Sequence, residues 1–142
     1  MTNTPDMSEI IVNEDRSEVQ VYVGGQTRTL RFLSEQSAKL EKALEMDPLT
    51  YLTTGRGETV FCNAAILAGL SWDRKVVKDL TPADVYRWLD GAKDLDREEL
   101  MKQVLYTVGR GKTGAQRARW MKILDEIFSE GAKGEPGPSP GG

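Results

Sequence analysis

The run Gly109-Arg110-Gly111-Lys112-Thr113 carries the glycines, lysine and threonine with which a phosphate-cradling loop holds a nucleotide. Such a loop needs a further glycine five positions before Gly111, where this chain has Tyr106, and it must follow a strand. The residues before it show helical spacing, so the run reads as a flexible break between two helices. Proton chemistry has fewer resources still. Histidine is absent from all 142 residues, which removes the commonest general base and the commonest transition-metal ligand. Serines and threonines have no histidine to activate them, and no lysine-based motif replaces it. One cysteine, Cys62, lies in the most apolar stretch of the chain. It can form no intramolecular disulfide, supplies no zinc ligand set, and reads as a buried structural thiol.

The carboxylate neighbours Asp94 and Asp96, Glu98 and Glu99, and Asp125 and Glu126 do not form acid–base pairs. Side chains one or two apart on a helix do not face each other, and acids are expected at helix starts for their interaction with the dipole. No catalytic residue, cofactor or metal ligand is expected. The expected activity is binding.

Six residues are candidates for contact with a partner. Arg110, Lys112, Arg117, Arg119 and Lys122 make a local basic cluster on a chain of net charge −3. Cations in the first half of a helix oppose its dipole. The cluster either receives an acidic partner or is a solvated face balanced by Asp125, Glu126 and Glu130. The sixth is Trp72, in a charged connector. It either plugs the domain surface or anchors a partner, as exposed aromatics do at interaction hot spots. Trp88 and Trp120 fall on apolar stripes and read as core or near-core.

The elements that position these residues follow from periodicity. Ile10-Ile11-Val12 suggests a short strand within an otherwise flexible arm, residues 1–17. Val19, Val21 and Val23 alternate with polar residues, Gly24-Gly25 supplies a tight turn, and Leu30 and Phe32 alternate on the return. Residues 18–33 are thus expected to form a β-hairpin, which must lie on an apolar partner. Ser34 is expected to cap a helix over about 35–45. Asp47-Pro48 starts a short helix ending before Gly55-Arg56-Gly57. Residues 58–70 are apolar almost all round, which marks the central buried helix. After a connector at 71–80, Thr81-Pro82-Ala83-Asp84 and Asp96-Arg97-Glu98-Glu99 start two further helices ending near Gly91 and Gly109. A last helix spans about 115–129, and the glycine- and proline-rich residues 131–142 are expected to be disordered.

The fold class is therefore α+β, mainly helical: an N-terminal hairpin packed on four to six helices in a single domain, 18–130. The N-terminus lacks a signal-peptide pattern and no run reaches the roughly 18 apolar residues of a membrane span, so a cytoplasmic protein is expected. Acids at the start of the helix after Asp96 argue against a helix-turn-helix reader of DNA at 81–108.

The order of elements resembles the small tail assembly chaperones of tailed phages, prophages and gene transfer agents. The likeness is carried by Val19–Phe32 passing into a Leu/Glu-rich helix, by Ala64-Ala65-Ile66-Leu67-Ala68-Gly69-Leu70, and by Leu80-Thr81-Pro82-Ala83-Asp84-Val85-Tyr86-Arg87-Trp88-Leu89-Asp90. It spans about residues 18–108 and leaves the basic helix 115–129 unexplained. The resemblance implies a helical domain that binds the tape measure protein, keeps it soluble and helps tail tube protein polymerise around it, in the host bacterial cytoplasm. The Gly/Pro-rich tail suits a frameshift junction to a second domain, and equally an ordinary disordered terminus. The resemblance implies no catalytic residues. Alternatives are a structural virion protein, either a tail tube or a head–tail connector subunit, and a small DNA-binding regulator using the basic helix. Pairing of hairpin edges offers a route to homo-oligomers.

Overall fold

Alternating valines need a sheet, and the sheet has three strands. The computed structural model describes residues 9–133, with side chains through Ser129. Strand β1 (Ile11–Asn13) is followed by a 3-10 turn at Glu14–Arg16 and then by the expected hairpin, β2 (Glu18–Val23) and β3 (Gln26–Arg31). All pairing is antiparallel in the order β1-β2-β3. Val12 lies opposite Val19, and Val19 opposite Leu30. The short strand thus falls one residue later than expected and belongs to the sheet. Residues 11–17 are strand and turn, where only a short strand within a flexible arm was expected. Residues 1–8 of that arm lie outside the described residues.

Seven helical segments follow: α1 (Ser34–Leu44), α2 (Pro48–Tyr51), α3 (Glu58–Leu70), α4 (Arg74–Val77), α5 (Pro82–Gly91), α6 (Arg97–Arg110) and α7 (Gly114–Lys133). Two of them, α2 and α4, are single turns. Three starts are capped as the sequence indicates. Asp47 Oδ1 accepts from Leu49 N at 2.7 Å, Asp96 Oδ1 from Glu99 N at 3.0 Å, and Thr81 with Asp84 forms a reciprocal capping box. Ser34 is not a cap. Phe32 N still bonds Ser17 O at 2.9 Å, so strand geometry persists until Leu33, which takes the N-cap position without a side-chain acceptor. The connector 71–80 contains the turn α4, whose first N–H groups are taken by Asp73 Oδ1. Helix α7 continues through residues 131–133 of the expected disordered tail; residues 134–142 lie outside the described residues.

Helix α3 is the centre of the fold. Nine of its 13 residues are buried, and β3, α1, α5 and α6 all pack on it. Close approach to the sheet requires Gly69: a Cβ there would lie 2.7 Å from Leu30 Cβ and 3.2 Å from Leu30 Cα. Polar side chains fasten α5 and α6 around the centre. Arg97 Nη1 donates to Thr59 Oγ1 at 2.6 Å, its Nη2 donates to Leu89 O at 2.9 Å, and Asn63 Nδ2 donates to Pro82 O at 2.9 Å. Helix α7 packs on α6. The pyrrole edge of Trp120 crowds Gly109, where an added Cβ would come within 2.8 Å of the indole Nε1, and that Nε1 donates to Leu105 O at 3.0 Å. No described helix is long and apolar enough to cross a membrane.

Candidate binding groove at the hairpin tip

The two-residue turn Gly24-Gly25 holds both residues at positive φ, +63° and +81°, as a tight hairpin of this twist demands. Gly24 has a second reason to lack a side chain. A Cβ there would lie 2.7 Å from Trp88 Cδ2 and Cε2, because the indole is laid against the turn. Trp88 reaches it from α5, whose Val85 and Leu89 are fully buried. Their spacing leaves Trp88 beside the buried stripe, partly buried at its edge.

Arg28 fixes the ring from the other strand. It shares strand parity with Leu30 and Phe32, so it leaves β3 on the core-facing side, opposite Val21. Its guanidinium lies over the Trp88 ring, 4.0 Å from the centroid. Nε donates to Val23 O at 2.9 Å and Nη2 to Gly24 O at 3.1 Å. Burial holds the guanidinium below its ordinary pKa, the direction expected for a desolvated cation. One side chain therefore satisfies two turn carbonyls and stacks the aromatic floor.

The opposite wall is the segment joining α5 to α6. Gly91 ends α5, and Ala92 and the buried Leu95 supply apolar surface. Lys93 and Asp94 are exposed at the rim. Between this wall and the turn, with Tyr22, Val23 and Trp88 also lining it, lies a groove of about 330 Å³. It presents an aromatic face that is already oriented, an apolar wall, and the charges of Arg87, Lys93 and Asp94 at the edge. That arrangement can grip an apolar side chain or a short amphipathic segment. Pre-oriented aromatic surface lowers the ordering cost of binding.

The six residues singled out from the sequence are elsewhere, and the structure does not gather them. Trp72 is 36% exposed, yet its Nε1 donates to Thr29 O at 3.0 Å and the Arg31 guanidinium lies 4.3 Å from its ring centroid. Arg31 in turn bonds Glu18 Oε2 at 2.8 Å. The bond and the stack hold the ring against the edge of β3 while part of its surface stays open. Arg110 is half-buried and donates to Thr107 Oγ1 at 3.1 Å. Lys112 lies over the Trp120 ring at 4.6 Å and borders a second, more polar groove of about 320 Å³ with Leu33, Ser34 and Glu41. Arg117, Arg119 and Lys122 are exposed on α7. Two positions along a helix turn the side chain by about 200°, so Arg117 and Arg119 point to opposite sides. Helix α6, not a strand, precedes the Gly109–Thr113 run, so the phosphate-loop context is missing. Among the described residues no group of three His, Cys, Asp or Glu could hold a metal ion.

The groove was not singled out from the sequence. Its local signal was Arg28: a cation on the core-facing parity of a strand needs a stacking or accepting partner, and a tryptophan at the margin of a helix stripe can be one. No family model, no curated protein and no solved structure matches this chain.

Proposed function

We propose that the protein is a phage tail assembly chaperone, which holds an apolar segment of the tape measure protein in the groove between the hairpin tip and the α5–α6 segment. The observation that carries this reading is the partly buried Trp88, set in place by Gly24 and Arg28 and facing an open apolar wall. A tryptophan held so firmly and left partly uncovered matches the buried anchors around which protein interfaces concentrate their affinity. The sequence likeness adds the client: the hairpin, the small-residue helix and the Thr-Pro-Ala-Asp helix start are the elements that build or support this groove. The expected site of action is the host bacterial cytoplasm, before the tail is complete.

Gly91 gives the test. It borders the groove, and a Cβ there would meet nothing within 4 Å. Gly91→Arg should fill the groove with little effect on stability, because substitutions at open positions usually stay within about 0.5 kcal/mol. Wild-type protein should bind a tape measure fragment and suppress its aggregation, and Gly91→Arg should bind at least about tenfold more weakly, a loss of about 1.4 kcal/mol. Equal binding by both proteins would reject the groove as the site. Absence of binding to any tail protein would reject the chaperone reading, and its abundance in purified particles would favour a virion subunit.

A further inference from the structure

Helix α7 packs its Trp120, Leu124 and Phe128 stripe inward and bonds α6 through Asp125, whose Oδ1 accepts from Tyr106 Oη at 2.8 Å. The side turned away from Asp125 has no such partner. At about 100° per residue, Arg119, Ile123, Glu126 and Ile127 share that side, at spacings of four, three and one. Arg119 and Glu126 are exposed, Ile123 is half-buried and Ile127 is 37% exposed. Neither Arg119 nor Glu126 has an opposite charge within 4 Å among the described residues.

We infer that this face of α7 pairs with the same face of a second copy of the chain, the two helices antiparallel about a two-fold axis near Ile123. The order of charges selects both the occupant and the direction. Arg119 stands four residues before Ile123 and Glu126 three after it, so antiparallel pairing sets Arg119 of each copy against Glu126 of the other. Parallel pairing would set arginine against arginine and glutamate against glutamate, which is repulsive. A two-fold contact needs a self-complementary patch, and this one is self-complementary in charge around an apolar centre. The isoleucines supply the attraction and the ion pairs the register, since exposed pairs add little affinity of their own. A 20-residue helix is about 30 Å long. One such pair is smaller than a standard interface of about 1,600 Å², so the dimer forms and dissociates with concentration. This inference is separate from the groove, which Gly91 tests on its own.

The experiment is sedimentation of the full chain over a concentration series, with Arg119→Glu, Glu126→Arg, Ile127→Lys and an equimolar mixture of the two charge reversals. Each altered position is exposed, and circular dichroism confirms that each variant is folded. Wild type should dimerise reversibly. Each charge reversal alone should weaken self-association at least about tenfold, as should Ile127→Lys. The mixture should recover wild-type association, because glutamate at 119 in one chain then meets arginine at 126 in the other, and Glu126 of the first meets Arg119 of the second. A wild type that stays monomeric throughout overturns the inference. So does a dimer indifferent to all three substitutions, or a mixture no better associated than its components.

Discussion

The indole Nε1 of Trp72 donates to the backbone carbonyl of Thr29 at 3.0 Å, which makes the most exposed tryptophan of the chain a clasp on the edge of its own sheet. Strand β3 is an edge strand. From the pairing register, Thr29 directs its backbone polar groups away from β2, toward the open side. Edges of that kind invite foreign strands unless something covers them, and Trp72 with the stacked Arg31 does so here. Trp72→Phe keeps the ring and removes the donor, so it should cost about 1 kcal/mol of stability. Trp72→Ala should cost more, because the stack on Arg31 is lost as well. Denaturant titration of both variants measures this.

Helix α3 can approach β3 only because position 69 has no side chain. A Cβ there would press on the Cβ and Cα of Leu30 and come within 3.0 Å of Phe32 Cζ. The obstruction includes backbone, which cannot rotate aside. Gly69→Ala should therefore destabilise the fold by about 1–3 kcal/mol, despite alanine's better helix propensity. Chemical denaturation should show the loss as a lower midpoint with an unchanged slope.

How much of this was legible depended on whether the signal was local. Asp47, Thr81 and Asp96 announce helix starts because a cap is written within four residues, and each of them caps in the structure. Gly24-Gly25 between alternating segments fixed the hairpin in the same way. The turn α4 was too short to show a period, and strand β1 announced itself only as an apolar run, one residue early. The groove was illegible for another reason. It forms where a turn at residues 24–25 meets a helix face at residue 88, and nothing in either segment names the other. The basic residues illustrate the converse: Arg117 and Arg119 are neighbours in sequence and point to opposite sides of α7.

Cys62 is fully buried, and burial pushes its thiol up to about 12. Because the thiolate is the reactive form, native protein should resist thiol reagents at neutral pH. Labelling should proceed at the rate of structural opening and accelerate with urea. Rapid stoichiometric labelling in native buffer would contradict the buried placement.

At the start of α5, Thr81 Oγ1 accepts from Asp84 N at 3.2 Å while Asp84 Oδ2 accepts from Thr81 N at 2.9 Å. These bonds to Thr81, with Arg87 adding a favourable charge, hold the Asp84 carboxyl below the ordinary carboxylate value. A depressed folded pKa stabilises the protein above the unfolded value, and that contribution disappears as pH falls through the folded one. Wild type should therefore lose stability on acidification faster than Asp84→Asn, which cannot titrate. Thr81→Ala removes the other half of the box and should cost about 1 kcal/mol at neutral pH. Thermal unfolding across the acid range checks both.

On the alkaline side, Tyr106 offers a contribution that one substitution isolates. Its hydroxyl is pushed up to about 12, first by burial and then by its hydrogen bond to Asp125 and the charge of that carboxylate. The bond joins α6 to α7, and the ring also stacks at 6.1 Å on Phe128. Only the protonated phenol can donate to a carboxylate. The unfolded chain ionises near its ordinary value of 10, so the stabilising contribution is complete below that pH and is lost as pH rises toward 12. Tyr106→Phe keeps the stacking and deletes the donor, and should cost about 1 kcal/mol at neutral pH. The difference between wild type and Tyr106→Phe should be constant below about pH 10 and shrink toward zero by about 12. Tyr51 and Cys62, which burial also raises, titrate in both proteins and cancel in the comparison. A difference that instead grew with pH in this window would mean that the phenolate, not the phenol, is the form the α6–α7 contact prefers.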